Sequence, residues 1–209
     1  MRIVTRIKVC GITSLDDALA AARAGVDALG FVFADSPRRI APHRAREIVR
    51  RLPPFVRSVG VFGDVGADEA RETAALAGVD LVQLHGTVAP RSGARLGRPV
   101  IRRLRVGEGD TRETLRRRMS RLGATAVLLD PGAGDGVPFR WEIARGLGRT
   151  VIVAGGLDPY NVATAVRQAR PYAVDVARGV EEVPGCKSPA KLRAFVAAVR
   201  REDERRAAR

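Results

Sequence analysis

The chain has 209 residues, 45% hydrophobic and 29% charged, which suits one soluble domain with a sizeable core and excludes a disulfide-stapled module or a long repeat array. Its net charge is +14, and Lys8, Lys187 and Lys191 are the only lysines among 37 basic residues. The arginines are scattered along the chain and aromatic residues make up 4%, so stacking platforms for single-stranded nucleic acid are scarce and no nucleic-acid partner is expected. A basic surface instead favours a small anionic ligand.

The two cysteines, Cys10 and Cys186, lie far apart without C-x-x-C spacing, which encodes neither a disulfide framework nor a zinc site and fits a cytoplasmic protein. Arg6 and Lys8 interrupt what would be the apolar stretch of a signal peptide. The most apolar window, 18–34, contains Arg23 and Asp27 and falls short of the roughly 20 clean residues of a membrane helix, so no membrane association is expected.

Along the chain, short β-branched runs alternate with Ala- and Arg-rich stretches of helical period, the pattern of repeated βα units around a parallel sheet. Strands are predicted at 7–10, 28–33, 58–62, 81–85, 100–104, 126–130, 151–155 and 173–177. Between them, D-D-A-L-A-A-A-R-A, P-H-R-A-R-E-I-V-R-R-L, A-D-E-A-R-E-T-A-A-L-A and N-V-A-T-A-V-R-Q-A-R read as amphipathic helices that start near Ser, Asp or Pro. The stretch from Thr87 to Pro99, with Pro90, Ser92, Gly93 and Gly97, has room for a loop or a single turn. A last helix runs from Ser188 past Val199 into a charged tail, 201–209, expected to fray.

Eight βα units in about 200 residues predict an α/β fold, a single-domain (β/α)8 TIM barrel over 1–209. An open doubly wound sheet is the runner-up, against which no G-x-G-x-x-G follows the first strand. In a barrel the chemistry sits at the carboxyl ends of the strands and in the loops that follow. Those positions hold Cys10, Arg38, His85, Asp130, Gly155 with Gly156, and Asp175 with the turn from Ala177 to Gly179.

Several ordered motifs share these positions: K-V-C-G-I-T at 8–13, F-V-F followed by S-P-R at 36–38, V-G-V-F at 59–62 and Q-L-H-G at 83–86. L-L-D at 128–130, G-G-L-D-P-Y-N-V at 155–162, and V-D-V with G-V-E at 174–181 follow. From about residue 6 to about residue 197 the chain resembles the phosphoribosylanthranilate isomerases of tryptophan biosynthesis. The resemblance implies an Amadori rearrangement of a small phosphorylated substrate, with no metal and no organic cofactor. It matches Cys10 to the general base and Asp130 to the general acid, and Arg38 to the residue that meets the anthranilate carboxylate. Gln83, His85 and Asp175 would line the substrate pocket, and Gly155, Gly156 and Gly179 would cradle the phosphate with backbone N–H groups. The particle would be a monomer or homodimer.

Taken alone, Cys10 reads better as a buried structural thiol than as a catalyst, Asp130 equally as a turn cap before Pro131, and His85 also as a core imidazole. As catalysts they carry requirements: a thiol of pKa about 8.5 must be lowered or act from a small ionised fraction, and a carboxyl acting as an acid at neutral pH must hold its proton.

The chain also departs from the family pattern. Ala154 stands where Ser is usual before the G-G pair, and Ala177 with Arg178 replace a small pair before Gly179, so that Arg178 would supply phosphate contacts in place of hydroxyls. A-G-D-G at 133–136 puts Asp135 near an anionic substrate, and the segment after Gly86 is short and lacks an acidic start. These differences leave two alternatives open: a diverged isomerase acting on a related arylamine phosphoriboside, and a non-catalytic barrel binding an anionic ligand.

Overall fold

Alternation along the first strand, β1 (Arg6–Cys10), sets the two layers of the molecule: Ile7 and Val9 point outward into the core under the helices, while Lys8 and Cys10 point into the barrel. The computed structural model describes residues 4–86, 96–132, 138–148 and 150–208. After β1 come β2 (Ala28–Val32), β3 (Arg57–Phe62), β4 (Leu81–Leu84), β5 (Val100–Arg105), β6 (Ala126–Asp130), β7 (Val151–Val153) and β8 (Ala173–Val176). All pair in parallel, and β8 returns to β1 to close the barrel, with Lys8 in register with Asp175. The open-sheet alternative is thereby excluded.

The interior is filled by Val59, Ile101, Leu128 and Ile152 with the small residues Ala126, Ala154 and Ala173, as a narrow barrel of side chains requires. Polar interior residues are gathered at the carboxyl end. The outer layer packs under α1 (Leu15–Arg23), α2 (Pro42–Val49), α3 (Ala67–Ala77), α4 (Arg112–Met119), α5 (Val162–Ala169) and α6 (Pro189–Ala207). The Ser14 side chain caps α1 by accepting from Asp17 N, Pro42 opens α2, and Gly78 closes α3 at φ +70°.

The predicted strand 151–155 stops at Val153, because Gly155 and Gly156 turn to φ +85° and +64°. Helix α4 was not singled out by the periodicity; Thr111 and Thr114 cap it reciprocally. After β6, Trp141–Ala144 forms a single 3-10 turn where a full helix would lie. Residues 87–95 of the weak unit and 133–137, including Asp135, lie outside the described residues.

Ahead of α6 the chain carries an antiparallel hairpin, β9 (Glu181–Val183) and β10 (Cys186–Lys187). One finding corrects the sequence reading of the end of the chain. The tail expected to fray over 201–209 is helical as far as Ala207. The Asp203 carboxylate accepts from Thr5 N at 2.8 Å and from the Thr5 hydroxyl at 2.7 Å, and Arg200 donates to the Thr5 carbonyl at 2.6 Å. These buried contacts bolt α6 across the amino end of β1.

Candidate active site

A cavity of about 490 Å³ opens at the carboxyl end of the barrel, and all ten residues picked from the sequence line it: Cys10, Arg38, Gln83, His85, Asp130, Gly155, Gly156, Asp175, Arg178 and Gly179. They come from six different strands or the loops after them, so closure of the barrel is what brings them together. The other histidine, His43, is exposed at the start of α2.

Beneath Cys10 lies a charged pair. Lys8 Nζ donates to Asp175 Oδ1 at 2.9 Å, with both side chains almost completely buried. Gly30, beside Cys10 on β2, leaves the space in which thiol and ammonium meet: a methyl group there would lie 2.9 Å from Cys10 Sγ and 3.2 Å from Lys8 Nζ. Burial pushes the Cys10 thiol up, and the Lys8 ammonium pulls against it. The ligand-free site therefore does not present a strongly lowered thiol. Burial also opposes the charge on Lys8, but Asp175 and Cys10 outweigh it and hold the ammonium above the usual lysine range.

Arg38 is held by Glu181 at the head of the hairpin. Its Nε donates to Oε1 at 2.9 Å and its Nη2 to Oε2 at 2.6 Å, a side-on fork. Lys187 Nζ reaches the same carboxylate at 2.6 Å and the Cys10 carbonyl oxygen at 2.6 Å. Burial works against the Glu181 charge, yet the bonds from Arg38 and Lys187 hold its carboxyl below the usual range. The hairpin thus fixes the backbone of Cys10 and the direction of Arg38 together.

Across the cavity, Asp130 at the end of β6 accepts from Arg103 Nε at 2.8 Å and from Gly132 N at 3.1 Å. Its immediate partners are thus a cation and the backbone of a turn. On the floor, Gln83 and His85 contact each other through Gln83 Nε2 and His85 Nε2. Burial, Arg103 and Lys8 depress the imidazole to about 4, so the ring is neutral and the Gln83 amide donates to it. Gln83 Oε1 is buried at the cavity, without a hydrogen-bond partner among the described residues.

The loops after β7 and β8 meet at Gly179, which packs on the Leu157 carbonyl oxygen so closely that a methyl group has no room. Asp158 Oδ1 accepts from the backbone of Tyr160 and Asn161, and Asn161 Nδ2 donates to the Gly156 carbonyl, which shapes the turn ahead of α5. Gly155 and Gly156 line the cavity from this side, Ala154 and Ala177 bring no hydroxyl, and Arg178 reaches it from an exposed position. Among the described residues no cluster of His, Cys, Asp and Glu has the makings of a metal site.

Sequence reasoning passed over four site residues: Lys8, Arg103, Glu181 as a partner of Arg38, and Lys187. One signal was available. In a chain with 34 arginines, lysine marks places where a compact ammonium is needed, and Lys191 too donates to the Glu181 carbonyl at 2.7 Å.

Comparison with known proteins bears on what such a pocket does. Residues 7–198 match the family model described as N-(5'phosphoribosyl)anthranilate (PRA) isomerase. The chain is 48% identical to the N-(5'-phosphoribosyl)anthranilate isomerase of Pseudomonas aeruginosa (strain LESB58), over 95% of this chain and 98% of that one. The crystal structure of phosphoribosyl anthranilate isomerase from Thermus thermophilus superposes with a TM-score of 0.86 at 42% identity, covering 94% of this chain and 99% of that chain. A phosphoribosyl anthranilate isomerase in complex with reduced 1-(o-carboxyphenylamino)-1-deoxyribulose 5-phosphate superposes at 0.83 with 35% identity, again over 94% and 99%. With the closed eight-stranded barrel and the pocket at its carboxyl end, these matches establish that the chain is a (β/α)8-barrel enzyme belonging to the N-(5'-phosphoribosyl)anthranilate isomerase family.

Proposed function

We propose that this pocket converts N-(5'-phosphoribosyl)anthranilate to the 1-deoxyribulose 5-phosphate product by proton transfer between two side chains, Asp130 and Cys10. The observation that carries the reading is the presence of a thiol at the end of β1 and a carboxyl at the end of β6 in the lining of one cavity sized for a small molecule.

In the first step Asp130 delivers a proton to the ring oxygen, the C1'–O bond breaks and the nitrogen lone pair completes an imine. In the second, Cys10 as thiolate takes the C2' proton, and the electron pair moves toward nitrogen to give an enol-amine. Protonation at C1' together with loss of the C2' hydroxyl proton then leaves the ketone. Proton gain and loss balance, so the sequence needs an acid and a base and no net redox partner.

The ligand of the related complex carries a carboxylate at its aryl end and a phosphate at the other. This site offers a cation at each end. Glu181 engages Nε and Nη2 of Arg38 and leaves the Nη1 edge to take the aryl carboxylate. Arg178 and the backbone of Gly155, Gly156 and Gly179 face the phosphate end, the arginine standing in for the hydroxyls that Ala154 and Ala177 lack. Gln83 and His85 form the floor under the sugar, and Asp175 acts from below through Lys8.

The expected particle is a monomer or a homodimer. Two free cysteines support a cytoplasmic setting, and no helix among the described residues is long and apolar enough to cross a membrane. The test is turnover by purified protein in the presence of a chelator: formation of the ketose supports the reading, and folded protein that binds the substrate without converting it overturns it in favour of a binding barrel. Faster conversion of a modified arylamine riboside favours the diverged enzyme.

A further inference from the structure

Lys8 lies one inward-facing position below Cys10 on β1, beneath the residues that line the cavity. Its ammonium is nonetheless placed with care. Parallel register sets Lys8 opposite Asp175 on β8, and the two form a 2.9 Å ion pair that is almost fully buried. On the other side, Cys10 is in register with Gly30, and this glycine provides the clearing into which both Cys10 Sγ and Lys8 Nζ project. A buried ion pair is seldom worth its desolvation as a stabilising device, since apolar packing of the same volume does as well or better. Its retention in the middle of the barrel calls for another account, as does lysine at this position in a chain that uses arginine almost everywhere else.

We propose that Lys8 is a positioning residue that stabilises and orients the thiolate of Cys10, with Asp175 as the anion that competes for the same ammonium. The inference rests on the reading of Cys10 as the base. Among the cations facing the thiol, Lys8, the ion-pair partner of Asp175, is the one that projects into the Gly30 clearing beside Cys10 Sγ. Lys187, from the hairpin, is committed to Glu181 and to the Cys10 carbonyl, and Arg38, from the loop after β2, is committed to Glu181. Asp175 from β8 is itself anionic, β2 contributes only Gly30, and Asp130 and His85 stand across the cavity. When the thiol ionises, Lys8 has an anion on either side of it, one permanent and one made for the reaction.

The experiment measures the rate of Cys10 alkylation by iodoacetamide against pH, in the full chain carrying Cys186→Ser so that the exposed thiol is silent. No substrate is present, so the result is separate from turnover: a failure here leaves the catalytic role of Cys10 standing, and inactivity of a Cys10 variant can be scored independently. Lys8→Met is expected to move the midpoint of thiol ionisation up by at least one pH unit. Asp175→Asn removes the competing anion and is expected to move it down. Opposite shifts are the signature, because a merely structural role moves neither midpoint. If Lys8→Met does not fold, Lys8→Gln takes its place, with the same upward shift expected. A midpoint unmoved in a folded variant, or moved in the same direction by both, overturns the proposal.

Discussion

Arg38 and Glu181 sit 143 residues apart in sequence, yet the guanidinium is held side-on by the carboxylate, with Nη2 2.6 Å from Oε2. The pair turns a long, flexible side chain into an oriented one, which lowers the ordering cost of gripping a planar carboxylate. Glu181→Gln keeps the shape but loses charge against both Arg38 and Lys187. The expected result is a KM raised about tenfold, or about 1.4 kcal/mol, with kcat changed far less. Steady-state kinetics checks the split; a fall confined to kcat would place Glu181 in the chemistry instead.

Two glycines hold the reacting groups in place by what they lack. A methyl group on Gly30 would press on Cys10 Sγ at 2.9 Å and on Lys8 Nζ at 3.2 Å, and one on Gly155 would strike the Pro131 ring and lie 3.1 Å from Asp130 Oδ1. Gly155 also needs its φ of +85°. Each alanine substitution is expected to destabilise by about 1–3 kcal/mol and to lower kcat at least tenfold, with KM affected less. Denaturant unfolding together with kinetics tests this.

Stability should depend on pH through His85. Its imidazole falls to about 4 in the folded chain against about 6.5 when unfolded, so the unfolded state binds the extra proton first. The contribution is complete above about pH 6.5 and is lost as pH falls toward 4. The ring is exposed to the open cavity, and screening by that solvent limits the effect to about 1 kcal/mol. Urea unfolding at pH 7 and pH 5 should show the loss in the parent protein and a smaller one in His85→Asn.

Much of this was legible because the determinants are local. Inward and outward alternation in I-K-V-C marks a barrel strand, and Cys10, His85 and Asp130 stand at strand ends that face the pocket in any such barrel. What could not be read are relationships that closure creates. Lys8 meets Asp175 only because β8 returns to β1, and Arg103 meets Asp130 only because β5 and β6 are neighbours. Glu181 and Lys187 reach the site through a short hairpin whose pattern is too brief for periodicity to detect. The helical end of α6 was missed for a similar reason: a charged tail reads as frayed unless Thr5 is known to lie beside Asp203.

The central claim is that one thiol and one carboxyl carry the two proton transfers. Single-turnover conversion of N-(5'-phosphoribosyl)anthranilate by folded Cys10→Ser and Asp130→Asn measures it directly. Acid–base groups of this kind contribute about 10²–10⁴-fold, so each variant should lose at least 10² in rate while still binding the substrate. Either variant turning over at the parent rate would contradict the account.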